Sequence, residues 1–388
     1  MQEVGGKNYE TCTIQVPGFI NTIANLFQSL GYTTGRAYLD LDFDTPDTYA
    51  LGSLYFVKDS CKLSVEQYDF KTGRFGKLEP NFDMITEDLS KCSKLRKAKF
   101  PKYFWPTIRW TRKGYMHCRF KFNKTPFDFV NVHLFHDDSN IALVHENPSL
   151  YSENRKRALD FVIEELRRTE ENQNNTLFLF GDLNFRLDPA SFLNRITEGA
   201  DQRHDSVVFT ESDDIDDETT SLASVEPNTI DLLKSDDRKD ECLRRTVSAI
   251  EFRRSPNPSK VDIQSNCVLR IEKKRFDYFN HMRLLKEWEC YLEDDKEALN
   301  FPSLRELKIH FPPTYPWSED PEDSEMLMKT RAPAWCDRIL MNSRAYDMVC
   351  TLENVVYDSI GKDVCMGDHK VVSICHFSFS FLIRLGWT

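Results

Sequence analysis

The chain has 388 residues, with 51 basic and 62 acidic side chains and a net charge of −11. Hydrophobic residues make up 40% and aromatics 12%, enough to bury a large core, which excludes wholesale disorder. The acidic balance argues against a nucleic-acid coat, though not against a small basic pocket for an anion. Eleven scattered cysteines without a Cys-x-x-Cys pair argue against a disulfide scaffold or a Cys-rich zinc site and fit a reducing compartment such as the cytosol. No run reaches the ~18 apolar residues of a membrane-spanning helix. The polar start MQEVGGKNYE lacks the apolar centre of a secretory signal.

Gln2 to Gly6 reads as the end of a strand entering a loop. Ile20, Ile23, Ala24 and Phe27 predict a helix from about Gly18. Leu51 to Val57 predicts a strand, and the basic stretch 91–102 a solvated loop or helix face. The run Phe127 to Leu134 predicts a strand, Ser152 to Arg168 a helix, and Thr176 to Phe180 a buried strand ending in Gly-Asp. That order suggests an α/β arrangement. Residues 200–262 read as a flexible insertion, with twelve acidic and three basic residues between Asp205 and Asp240 and room for a short helix at Thr229 to Leu233. Beyond it, Phe276 to Leu285 predicts a helix. The loop Phe311 to Pro316, an acidic stretch at 319–325, the segment Arg331 to Met341 and a half-buried strand at His376 to Ile383 complete the chain.

Residues two apart on a strand share a face, so Asn131 and His133 project together, as do Asp182 and Asn184 while the chain stays extended. A carboxylate beside a carboxamide can hold an attacking water and orient a phosphate oxygen. Asp368 with His369, and Asp337 farther back, add two acids and an imidazole that a carboxylate can hold charged. Each piece alone also fits a structural role: a buried histidine, a strand-ending turn, a salt bridge. Neither a Cys-x5-Arg site nor a P-loop is present. Oxygen-rich ligands suit Mg²⁺ better than Zn²⁺, and together the set describes metal-assisted phosphoester hydrolysis.

The motifs GDLNFR, RAPAWCDRIL and GDHKVV, in that order, resemble the inositol polyphosphate 5-phosphatases. QEVGGKNYE, RKGYMHCR, NVHLFHDDSN, FPPTYPWSED and CMGDHK resemble the type I branch, and the likeness covers residues 1–200 and 265–378. It implies a DNase I-like endonuclease/exonuclease/phosphatase fold: a four-layer sandwich of two mixed β-sheets flanked by helices, in one domain over 1–388. It implies Mg²⁺, bound by Glu3 with Asp368 close to the metal. His133 matches a phosphate-contacting histidine, Asp182 the acid that orients or deprotonates water, and Asn184 a phosphate and transition-state ligand. Asp337 matches the acid paired with His369, while Tyr315, Lys329 and Arg331 match residues that grip a neighbouring phosphate. Lys113 and Lys370 are candidates for added local charge, with a surface lysine the equal alternative for Lys113.

The implied activity is removal of the 5-phosphate of inositol 1,4,5-trisphosphate, and of the 1,3,4,5-tetrakisphosphate, ending calcium signals. The implied setting is a monomer acting on soluble inositol polyphosphates in the cytoplasm or at the plasma membrane, without nucleic acid. Pro316 favours soluble substrates, since other branches carry lysine there. Two departures stand out: the family's first strand, with its metal-site asparagine, is expected to be missing ahead of residue 1, and the end LGWT is no prenylation box. The alternatives are a nuclease of the same superfamily and an inactive or binding-only fragment.

Overall fold

A row of buried β-branched and aromatic residues organises the computed structural model, which describes residues 1–4, 12–41, 50–104, 112–138, 140, 149–168, 175–209, 245–255, 266–376 and 382–384. The largest sheet runs in the order Asp337–Met341, Thr176–Asp182, Thr125–His133, Gly114–Phe122, Val65–Asp69, Arg74–Lys77, and Leu95–Lys99 also pairs with Gly114–Phe122. Thr125–His133 and Thr176–Asp182 are parallel, and their crossover carries the helix Leu150–Arg167. The other pairings of this sheet are antiparallel.

Alternation sorts the two faces. Val130, Val132, Leu179 and Leu340 bury against Ala158, Leu159, Val162 and Leu166 of that helix. Their neighbours Phe129, Phe178, Phe180, Ile339 and Met341 point the other way, into a second core. That core is closed by Ile250, Phe252, Leu269 and Ile271 of one sheet and Val372 and Ile374 of another. Each such side chain contributes about 1.5–3 kcal/mol on full burial, so this double-sided core holds the central strands rigidly.

The chain is thus the expected mixed α/β fold, but its second layer is divided. Among the described residues, an antiparallel four-stranded sheet (Asp201–Phe209, Arg245–Arg253, Cys267–Glu272, Arg275–Tyr278) stands apart from Val355–Ile360, Val371–His376 and Leu382–Arg384. A further sheet of Gly52–Val57, Thr34–Leu39 and Phe82–Ile85 is covered by the helix Val16–Ser29, through Ile20 and Ile23 on Ala37 and Leu39.

Four local expectations change. The stretch 200–262 begins and ends its described parts as paired strands, while 210–244, with the helix expected at Thr229 to Leu233, lies outside the described residues. Phe276 and Tyr278 are a strand's alternate residues, set against Ile271 and Leu269, and only His281–Lys286 is helical. The basic stretch contains the strand Leu95–Lys99, with Lys97 Nζ 2.9 Å from the buried Asp40 carboxylate. Of the tail expected as a strand at His376 to Ile383, His376 ends the strand Val371–His376 and the last two residues lie in Leu382–Arg384, which pairs antiparallel with it, while 377–381 lie outside the described residues.

Candidate active site

Three strands bring three side chains into one row. His133 ends its strand opposite Asp182, and Asp182 ends its own opposite Asp337, the first residue of the next. By parity all three share the face of Phe129, Phe178, Phe180 and Ile339, and all three are buried. Gly181 makes this approach possible: its φ is +139°, and a Cβ there would meet Val132 O at 2.0 Å.

His369 arrives from the turn before Val371–His376 and places Nδ1 2.8 Å from Asp337 Oδ2. The loop around Thr314 ties these parts together. Thr314 Oγ1 accepts from the amides of Cys336 and Asp337, both at 3.1 Å, and its carbonyl accepts from Lys370 N at 2.9 Å. Trp317 N donates to Asp368 O at 2.8 Å.

Charge in this row is sharply divided. Burial alone would raise the Asp182 carboxyl, but His369, His133 and Lys113 outweigh it and hold the group below the ordinary carboxylate range. Burial raises Asp337, and His369 offsets only part of that. Burial opposes charge on His369 as well, yet Asp337 and Asp182 push it up to about 10. The imidazolium is therefore the counter-ion of the row at neutral pH. His133 behaves oppositely: burial and the neighbouring Lys113 lower it, with Nζ 2.5 Å and Asp182 Oδ2 3.3 Å from its Nε2.

Asp337→Asn removes the charge that does most to keep His369 protonated. The His369 pKa is expected to fall from about 10 toward the ordinary 6.5, followed by NMR titration of its ring protons. A value still above 9 would contradict this pairing. The sign also follows: stability from the raised group is complete below about pH 6.5 and is lost as pH climbs through about 10. In Asp337→Asn that alkaline loss shrinks.

The remaining candidates sort into near and apart. Glu3 has its carboxylate 3.6 Å from Arg112; burial opposes its charge, but Lys113, His133 and Arg112 hold it low. Asp368 lies beside His369 and Tyr315, whose titrations it influences. The Tyr315 ring lies tilted by 39° against His369, with centroids 4.7 Å apart. Arg331 donates to Asn140 Oδ1 at 3.3 Å and, with Arg186 and Asp137, borders a small cleft. Lys329 does not join them: its ammonium pairs with Asp277 at 3.0 Å, in an open groove of about 470 Å³ with Phe279, Met282 and Met326.

The two lysines expected to add local charge part company. Lys113 is buried against His133 rather than on the surface. Lys370 turns inward instead of toward the site, donating to Ser324 O and Val364 O at 3.0 and 2.7 Å over the Trp317 ring. Asn184 also departs from a free phosphate ligand. Its φ is +50°, and its Nδ2 donates to Asp182 Oδ2 at 2.7 Å and to Leu134 O at 3.1 Å. Both amide hydrogens are taken.

The oxygen donors suit a hard cation. Asp182, Asp337 and His369 offer ligand atoms within 4.8 Å of one another, but Asp337 spends an oxygen on His369 Nδ1. Carboxylates Glu3 and Asp368 remain, and the buried Gln2 Oε1 has no hydrogen-bond partner. Such a set accepts Mg²⁺ or Ca²⁺ more readily than Zn²⁺. The residue that sequence reasoning passed over is Arg186, within the quoted GDLNFR motif; its signal was its even spacing from Asp182 and Asn184.

Comparison with known proteins follows the same lines. The sequence model of Endonuclease/Exonuclease/phosphatase family 2 matches residues 49–225 and 270–374. A Caenorhabditis elegans protein named probable type I inositol 1,4,5-trisphosphate 5-phosphatase is 50% identical over 374 residues, covering 96% of this chain and 88% of the relative. Human inositol polyphosphate-5-phosphatase A is 36% identical over 380 residues, covering 96% and 81%. Among solved structures, the inositol polyphosphate 5-phosphatase domain of SPsynaptojanin, in complex with inositol (1,4)-bisphosphate and calcium ion, overlaps 97% of this chain and 68% of its own. That overlap has 16% identity and a TM-score of 0.42, too loose to bear on the chemistry.

Proposed function

The chain belongs to the type I inositol 1,4,5-trisphosphate 5-phosphatases, and on that premise we propose that it hydrolyses the 5-phosphate of inositol 1,4,5-trisphosphate with Mg²⁺. Inositol 1,3,4,5-tetrakisphosphate is the second substrate. The carrying observation is the buried row His133–Asp182–Asp337 with the imidazolium of His369 against it.

Asp182 stays ionised through the neutral range, so it accepts a hydrogen bond from the attacking water and aims a lone pair at phosphorus. The bond from phosphorus to the 5-oxygen breaks as the bond to water forms, the water releasing a proton through Asp182 and the departing 5-oxygen taking one up from solvent, giving inorganic phosphate and the 1,4-bisphosphate. His369, anchored through Nδ1, keeps Nε2–H as a donor to phosphoryl oxygens as charge builds on them. Lys113 adds a fixed positive charge beside His133. Glu3 and Asp368 would hold Mg²⁺, which when bound offsets the charge of the scissile phosphate. Tyr315 and Arg331 hold a neighbouring ring phosphate, while Lys329 is held apart by Asp277.

This is a monomer acting on soluble inositol phosphates in the cytoplasm, where it ends their calcium signal. Among the described residues, no helix is long and apolar enough to cross a membrane. The test is phosphate release from inositol 1,4,5-trisphosphate with Mg²⁺ and with excess EDTA. Release is expected to fall at least a hundredfold in EDTA and to return on adding Mg²⁺. Undiminished release in EDTA would overturn the metal assignment. No release by folded protein in Mg²⁺ would overturn the hydrolase reading.

A further inference from the structure

Arg186 has no part in the reaction as described, yet it is buried beside it. Its Nη2 donates to Asn184 Oδ1 at 2.9 Å, and its Nη1 to Cys336 Sγ at 3.3 Å. The Tyr315 ring lies 4.6 Å from the guanidinium carbon. Asp137 Oδ2 is 3.9 Å from Nε.

Asn184 could in principle sit two ways, because a carboxamide has an acceptor end and a donor end. As folded, its NH₂ faces two acceptors, Asp182 Oδ2 and Leu134 O. Its oxygen faces Arg186. Turned over, the oxygen would oppose a carboxylate and a carbonyl, and the NH₂ would oppose a guanidinium that has no acceptor at all. Arg186 thus selects one orientation.

We propose that Arg186 is a positioning residue: it locks the Asn184 carboxamide so that both amide hydrogens grip the Asp182 carboxylate and the Leu134 carbonyl. The water-orienting acid then keeps one rotamer through the reaction. A planar, five-donor head suits this task because it meets Asn184, Cys336 and the Tyr315 face at once. The proposal rests on the hydrolase reading for its kinetic consequence, but not for its geometry.

Two readouts test it in the full chain. Arg186→Met is expected to lower kcat for inositol 1,4,5-trisphosphate tenfold to a hundredfold with KM within twofold, and Arg186→Lys to recover most of that. With selective ¹⁵N-asparagine labelling, and Asn184→Asp to identify the signal, the Asn184 side-chain NH₂ should exchange with solvent slowly in the parent and at least tenfold faster in Arg186→Met. A purely structural arginine would lower the melting temperature and leave both readouts of the folded fraction unchanged, which overturns the proposal. A rise in KM at constant kcat would make Arg186 a substrate ligand instead, and overturn it too. If Arg186→Met fails to fold, Arg186→Gln against Arg186→Lys decides on the same two readouts. If the parent releases no phosphate, the hydrolase reading falls and the exchange rates alone decide this one.

Discussion

Asp182→Asn is expected to lower kcat for phosphate release by about a thousandfold while the protein still folds. The carboxylate does three things at once. Oδ1 accepts the Asn184 backbone amide at 2.8 Å, Oδ2 accepts the Asn184 side chain at 2.7 Å, and the charge balances His369 and Lys113. An amide in its place keeps the shape but offers a donor where Asn184 already donates. It also removes the charge that steers the attacking water. Turnover measured at saturating inositol 1,4,5-trisphosphate and Mg²⁺ checks this. A variant within tenfold of the parent would mean that the acid lies elsewhere in the row, with Asp337 the first alternative.

Much of this site was legible before any coordinates, for one physical reason. Strand alternation is strict, so Asn131 with His133, and Asp182 with Asn184 while extended, were expected on shared faces, and it is the register that brings His133, Asp182 and Asp337 level. The Asp337–His369 pair came from the family resemblance rather than from spacing, because 32 residues separate them. What stayed hidden is where long side chains turn. Lys370 and Lys113 read as interchangeable local charge, yet one ties loop carbonyls and the other lies against His133. Lysine's four-carbon stem reaches in either direction, and only packing decides.

Asn184 shows a second limit. A shared face with Asp182 required the chain to stay extended, with a strand-ending turn as the alternative; φ is +50°, and the turn aims its amide back at Asp182. Asparagine tolerates that left-handed region better than most residues, so the sequence permitted the turn without requiring it. Phe276 to Leu285 shows a third. Its apolar residues fit both periods for a few positions, and pairing with Cys267–Glu272 settled the first three as strand. At 200–262, polar composition concealed two strands that the chain pairs with each other.

The other large effect is on stability, at a residue with no chemistry of its own. Arg338 follows Asp337 and points to the opposite face, where its Nη1 meets Asp295 at 2.8 Å and its Nε meets Glu306 at 2.8 Å. Glu306 also accepts from the Tyr357 hydroxyl at 2.5 Å. All this is nearly dry: the Arg338 and Asp295 side chains are 3% and 6% exposed. Arg338→Met leaves two carboxylates buried without their counter-ion, which costs about 3–5 kcal/mol. The melting temperature should fall by roughly 5–15 °C. The pH dependence separates lost charge from lost packing. Burial already raises the Asp295 carboxyl despite Arg338, and without Arg338 it rises further. A carboxyl whose folded pKa is raised folds more easily as the acid, so the penalty vanishes below its unfolded pKa of about 4 and grows as pH rises through the folded value. Thermal melts at pH 5 and pH 8 should therefore show the larger deficit at pH 8. An equal deficit at both would mean that Arg338 acts by filling space, and a shift under 2 °C at pH 8 would mean that the acids find other partners. In the expected case the strand that presents Asp337 to His369 is held from behind by a charge network, and the catalytic row depends on it without touching it.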